Sequence, residues 1–158
     1  LYADAAIGRV GERWRIWLRR GASPIRARFL VAHELAHWAL DRHATRGPAL
    51  ESACDAIGAA VLAPARYVVR LPRDGRLDIA RLADDAAISD TCAALRLGEV
   101  YARPVAVVSP GIVRARGPAH GPFSDERAAR RLASSGGPGV RRVPLRQARR
   151  VALAADPA

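Results

Sequence analysis

Apolar and polar residues alternate between Arg13 and Arg19: Trp14, Ile16 and Leu18 are apolar, while Arg13, Arg15 and Arg19 are not. A period of two predicts a half-buried strand. Gly8 and Gly11 place turns before it, so a short hairpin or strand is expected within residues 5–22, ending at Arg20-Gly21-Ala22. The pattern then changes. Ser23 followed by Pro24 fits an N-cap and a first helical residue. The apolar run after it predicts a helix to about Arg42, broken by Arg46-Gly47-Pro48. A second helix is expected over residues 48–62, with Leu50, Ala53, Cys54, Ile57, Ala60 and Val61 at helical spacing and Pro64 closing it. Residues 65–71 predict another helical turn or two, and Pro72-Arg73-Asp74-Gly75 a turn.

Residues 78–97 form a candidate helix-turn-helix. Ile79, Leu82 and Ala83 make one apolar face. Ala86-Ala87-Ile88 is the turn and Ser89 the next N-cap, and Cys92, Ala93, Leu95 and Leu97 make the second face. Its second helix offers only Arg96 as an obvious contact to base or phosphate. Residues 105–108, a Ser109-Pro110-Gly111 turn and Ile112-Val113 predict a hairpin. Residues 115–139 are rich in Gly, Pro, Ser and Arg and read as loop, and residues 140–154 as a short strand or helix. The chain shows no internal repeat.

Chemistry concentrates in the first helix. His33-Glu34-Leu35-Ala36-His37 is a His-Glu-x-x-His sequence inside the apolar run Phe29 to Leu40. Residues four apart share a helix face, so His33 and His37 can present two imidazole nitrogens to one metal ion. Glu34 sits one step around, placed to act on water rather than to bind the metal. That is the arrangement of a zinc hydrolase. Three polar side chains in so apolar a helix would also be costly to bury without partners.

A catalytic zinc needs a third protein ligand. His43 lies ten residues after His33, the metzincin spacing His-Glu-x-x-His-x-x-Gly-x-x-His. However, Leu40 stands where that pattern has glycine, and a chain without methionine cannot form the metzincin methionine turn. Glu51 is favoured instead. It lies on the second helix, four residues before Asp55, so the two share a face. Glu51 can reach the histidines across a helix pair, and Asp55 can accept a hydrogen bond from the far nitrogen of a ligand histidine. Gluzincins use this arrangement. His43 stays the alternative ligand.

Charge and composition add limits. The formal net charge is +11, and all 26 basic residues are arginine. Residues 99–158 hold 11 arginines against 4 acids, so the tail is the more basic part. A basic tail fits nucleic acid, an acidic protein partner or solubility alone, and no aromatic interleaving marks it as a base-stacking surface. Cys54 and Cys92 form no Cys-x-x-Cys pair, which fits a reducing, cytoplasmic setting. No run of eighteen apolar residues occurs, so no membrane partner is expected.

The run Arg28 to Trp38, followed by Glu51-Ser52-Ala53-Cys54-Asp55-Ala56-Ile57-Gly58-Ala59-Ala60-Val61-Leu62-Ala63-Pro64, resembles the ImmA/IrrE family of prokaryotic zinc metallopeptidases. There an apolar His-Glu-x-x-His helix precedes a helix of the form Glu-x-x-Ala/Cys-Asn/Asp-x-x-Ala-Ala-x-Leu-x-x-Pro. The resemblance covers about residues 10–98. The chain departs from it at Gly58, where alanine or a larger residue is usual, and at Ala63, where methionine is frequent. With the pattern along the chain, the resemblance leads to an expected α+β fold: a mostly helical zincin-like core over residues 1–76 with a short N-terminal hairpin, and a helix-turn-helix-like segment over 77–98; the basic tail over 99–158, partly loop and partly β, lies beyond the resemblance. The resemblance implies a cytoplasmic endopeptidase whose substrate is a helix-turn-helix repressor in a stress or mobile-element response.

The expected mechanism has Zn2+ held by His33, His37 and Glu51 and activating water, with Glu34 as general base and later as acid toward the leaving amine. Tyr67, Tyr101 and His120 are candidates to stabilise the oxyanion. The alternative is a non-catalytic protein of the same fold that binds protein or DNA, with nucleic acid reached through the basic tail.

Overall fold

A computed structural model of the chain describes residues 4–40, 47–69, 79–102, 105–109, 112–116, 140–144 and 151–155. The chain forms two compact units, Leu1–Pro64 and Ala65–Ala158. The expected boundary at residues 76 and 77 lies outside the described residues, as do the turn at 72–75 and residues 117–139 of the loop expected over 115–139, whose first two residues instead end a strand.

The first unit is a hairpin and a helix pair. Strands β1 (Ala5–Val10) and β2 (Arg13–Leu18) pair antiparallel, with Ile7 opposite Ile16. The turn falls at Gly11, which adopts φ 60. Gly8, expected to make a turn, instead lies inside β1. The Trp17 indole packs over it, and a Cβ built on Gly8 would stand 3.1 Å from that ring. Absence of a side chain, not chain reversal, is what this glycine supplies.

Helix α1 (Pro24–Leu40) starts as the sequence predicts: Ser23 Oγ accepts from the Arg26 amide at 3.3 Å, and Pro24 is the first helical residue. Asp4 ties the hairpin to this helix. Its carboxylate accepts from Arg26 at 3.0 Å and Arg19 at 3.3 Å, and these hydrogen bonds hold its pKa below the usual carboxylate value. Helix α2 (Pro48–Leu62) follows, with Pro48 at its first turn and Glu51 near its positive end. Ala36, Leu50 and Cys54 are buried between the two helices, with Leu40 and Ile57 against them.

The sequence of α1 suggests a helix buried almost all round. The structure differs: Leu30, Ala32, Glu34 and Ala36 are buried, while Ile25, Leu35 and Trp38 are exposed. Apolar identity does not by itself dictate burial.

Gly58 sets how closely the two helices approach. A Cβ there would lie 3.2 Å from the His33 backbone nitrogen. A larger side chain must push α2 away from the residue that carries the first histidine. Gly58→Leu is expected to destabilise the unit by about 1–3 kcal/mol. It should also weaken metal binding, read as a lower melting temperature and a lower zinc affinity in titration.

The second unit packs α3 (Ala65–Val68), α4 (Ile79–Ala86) and α5 (Asp90–Val100) with a four-stranded antiparallel sheet. Its strands are β3 (Val105–Ser109), β4 (Ile112–Arg116), β5 (Val140–Pro144) and β6 (Val151–Ala155), in the order β4-β3-β6-β5. Residues 140–154, expected to hold a short strand or helix, contribute the strands β5 and most of β6. Leu82, Ile88, Val68 and Val107 are fully buried in this unit. Among the described residues no helix is long and apolar enough to cross a membrane.

The α4–α5 corner follows the expected helix-turn-helix spacing. Ile88 N–H donates to Ala83 O at 2.9 Å and Ala87 N–H to Asp84 O at 3.1 Å, a Schellman closure with Ala87 at φ 48. A left-handed alanine is strained, so Ala87→Gly is expected to raise stability by about 1 kcal/mol in denaturant titration. Ser89 caps α5, accepting from the Cys92 amide at 3.2 Å. Arg96, however, is not a surface contact for DNA. It is only 6% exposed and pairs with Glu99 at 2.7 Å. One turn of helix brings the acid beside it, and the guanidinium packs inward.

Candidate metal centre

Helix geometry assembles the centre. His33 and His37 lie one turn apart on α1, and their rings meet edge-on with centroids 4.8 Å apart. Their Nε2 atoms approach to 3.0 Å. Glu51, on the first turn of α2, reaches between them: Oε2 lies 3.3 Å from His33 Nε2 and Oε1 3.4 Å from His37 Nε2. One ligand atom from each of the three falls within 4.8 Å of the others.

Asp55, one turn further along α2, accepts from His33 Nδ1 at 2.8 Å. That bond places the ring proton on Nδ1 and leaves a lone pair on Nε2, aimed at Glu51 and His37.

These contacts test whether a metal fits. Two imidazole nitrogens and a carboxylate come close enough together for one cation to fit among them. A proton on His37 Nε2 could satisfy one of the close approaches but not all three. Zinc bonds of about 2.0–2.1 Å at tetrahedral angles put neighbouring ligand atoms roughly 3.3 Å apart. The 3.0 Å between the imidazole nitrogens, and the 3.3 and 3.4 Å from them to the two separate Glu51 oxygens, are of that size. The donor set, two imidazoles and one carboxylate, also suits zinc.

The site is open on one side. The histidines are largely covered, whereas the Glu51 side chain is 59% exposed. Asp55 is also exposed, at 62%, and so is not the buried carboxylate its apolar neighbours suggest. An open side is what a catalytic rather than a purely structural site requires. Glu34 follows His33 on α1 and is 8% exposed. Its charge, with those of Glu51 and Asp55, reaches Cys54 and adds to the burial that pushes the thiol pKa up. Cys54 is packed in the core between α1 and α2 and is not among the residues that converge on the site.

His43 and His120 lie outside the described residues. The hydroxyls of Tyr67 and Tyr101 are both engaged within the second unit. Tyr101 donates to Val68 O at 3.2 Å, and Tyr67 is hydrogen-bonded to Asp85, with burial first and then that carboxylate raising its pKa.

A helix pair that gathers two histidines and a glutamate of this spacing, with a second glutamate beside them, defines a metallopeptidase-like domain. The family model of the IrrE N-terminal-like domain, a peptidase family, matches residues 2–97. The chain belongs to the ImmA/IrrE family. No curated protein matches it.

Proposed function

We propose that the chain is a zinc-dependent endopeptidase of the cytoplasm that cleaves a helix-turn-helix transcriptional repressor. The observation that carries this reading is the convergence of His33 Nε2, His37 Nε2 and the Glu51 carboxylate, with Glu34 next to His33 in the same helix. His33, His37 and Glu51 would hold zinc, which when bound lends Lewis acidity to a water and to the scissile carbonyl.

The chain's own groups do the rest. Asp55 keeps the His33 proton on Nδ1 and so keeps Nε2 a donor of electrons. Glu34 takes a proton from the attacking water as the new C–O bond forms. It returns that proton to the amine as the C–N bond breaks. A purely structural site has no use for this carboxylate. The inward-turned Arg96 weighs against the DNA-binding alternative, because the helix-turn-helix-like segment then lacks its one candidate for reading bases. That segment fits packing or partner docking better.

The test is incubation of the zinc-loaded chain with helix-turn-helix repressors encoded beside its gene, read by intact mass. The expected result is one pair of fragments whose masses add up to the repressor plus one water, abolished by a zinc chelator. Cleavage that persists after zinc is stripped, or none with any repressor or with unfolded casein, would overturn the reading.

A further inference from the structure

The hairpin has a face that this chemistry does not use. The register places Ala6, Gly8 and Val10 of β1 and Arg13, Arg15 and Trp17 of β2 on one side, and Ala5, Ile7, Arg9, Trp14, Ile16 and Leu18 on the other. The second side is turned to α1. Ala5 is buried there, and Trp14 meets Trp38 edge-on at 6.5 Å. The first side is open: Val10 and Trp17 are 42% and 40% exposed, and both arginines are exposed.

The two arginines differ from their neighbours. Arg19 and Arg26 are held by Asp4. Among the described residues no ion pair engages Arg13 or Arg15. The face therefore reads as a strip: Val10 beside Arg13, Gly8 beside Arg15, and Trp17 leaning across Gly8.

We propose that this face is an exosite for an acidic, extended segment of the protein substrate, an assignment that rests on the peptidase reading above. Charge is the first reason, since two exposed guanidinium groups with no ion pair among the described residues attract carboxylates and can bind them bidentately. Spacing is the second. Arg13 and Arg15 are two residues apart on a strand, about 6.8 Å, which is also the distance between alternate side chains of an extended peptide. Apolar surface is the third, because Val10 and Trp17 flank the arginines and favour a segment that carries apolar residues among its acids. A nucleic acid fits less well. Single strands are held by stacking successive bases, and this face offers one indole, the other hairpin tryptophan being turned to Trp38.

The test uses the full zinc-loaded chain carrying Glu34→Gln, so that binding is read without cleavage. The probe is a labelled decapeptide alternating glutamate with valine and phenylalanine, followed by fluorescence anisotropy at low salt. A glutamine-for-glutamate peptide and a ten-nucleotide oligo(dT) are compared with it. The acidic peptide should bind, weaken with salt, and weaken about tenfold in Arg13→Gln/Arg15→Gln, with zinc content unchanged. Trp17→Ala should weaken it several-fold, and the glutamine peptide should bind least.

Unchanged affinity in the double variant would overturn the proposal, as would no binding of the acidic peptide at all. So would oligo(dT) binding more tightly through the same arginines. A chain that binds the acidic peptide through Arg13 and Arg15 yet cleaves no protein with Glu34 intact would sink the peptidase reading while leaving the docking face standing.

Discussion

Glu34→Gln is expected to lower peptide hydrolysis by about 10²–10⁴-fold while leaving the metal content of the chain unchanged. Glutamine has nearly the same shape and can occupy the same buried position, so α1 and its histidines should stay in place. What it lacks is a basic carboxylate. It cannot take the proton from the attacking water or return it to the amine. The loss should fall on kcat, with KM little altered, because the missing interaction is made at the reacting centre and not in substrate binding. Steady-state kinetics on a cleaved repressor, alongside metal analysis of both proteins, checks this. Activity within tenfold of wild type would mean that another group carries the proton. A glutamine variant that also lost its metal would mean that Glu34 supports the centre's structure, and its chemical role would have to be argued anew.

Much of this centre was legible in the sequence because it is built from local rules. Four-residue spacing puts His33 over His37 and Glu51 over Asp55. Ser23-Pro24 and Gly47-Pro48 mark where both helices begin. Once both helices are assigned, a helix pair brings the two faces together, and Asp55 reaches His33 as its spacing suggests.

The remainder depends on packing that residue spacing alone does not fix. Gly8 reads as a turn until the Trp17 ring is seen to need its missing side chain. Arg96 reads as a surface cation until Glu99, one turn away, pairs with it as it packs inward. Leu35 and Trp38 read as core, yet the periodic pattern of so apolar a helix does not say which stripe faces inward. Residues 140–154 scatter five arginines among short apolar runs with neither period sustained, so periodicity does not decide. Pairing with β3 decides it, since β6 joins that strand across more than forty intervening residues.

Removal of Glu51 should empty the centre. In Glu51→Ala two imidazoles remain, and two ligands do not hold zinc against a chelator. The chain should come off a chelating column with no zinc, whereas wild type keeps about one ion. Stability should follow. Zinc at one hundred times its dissociation constant stabilises the folded wild type by about 2.7 kcal/mol, and that zinc-dependent rise in melting temperature should vanish in Glu51→Ala. His37→Ala should behave the same way.

Asp55 should act through His33, and its variants can be ranked. Asp55→Asn keeps an acceptor for the Nδ1 proton but loses the carboxylate charge. Asp55→Ala loses both, and should lower zinc affinity by about 10–100-fold, more than the asparagine variant. His43→Ala is expected to leave affinity unaltered, because His33, His37 and Glu51 can already offer three ligand atoms to one ion. The ordering carries the argument: Glu51 far above Asp55→Ala, Asp55→Ala above Asp55→Asn, and His43 without effect. Were His43→Ala to release zinc while Glu51→Ala kept it, the third ligand would be His43, and the 3.3 and 3.4 Å approaches of Glu51 would be those of a carboxylate hydrogen-bonded to the site.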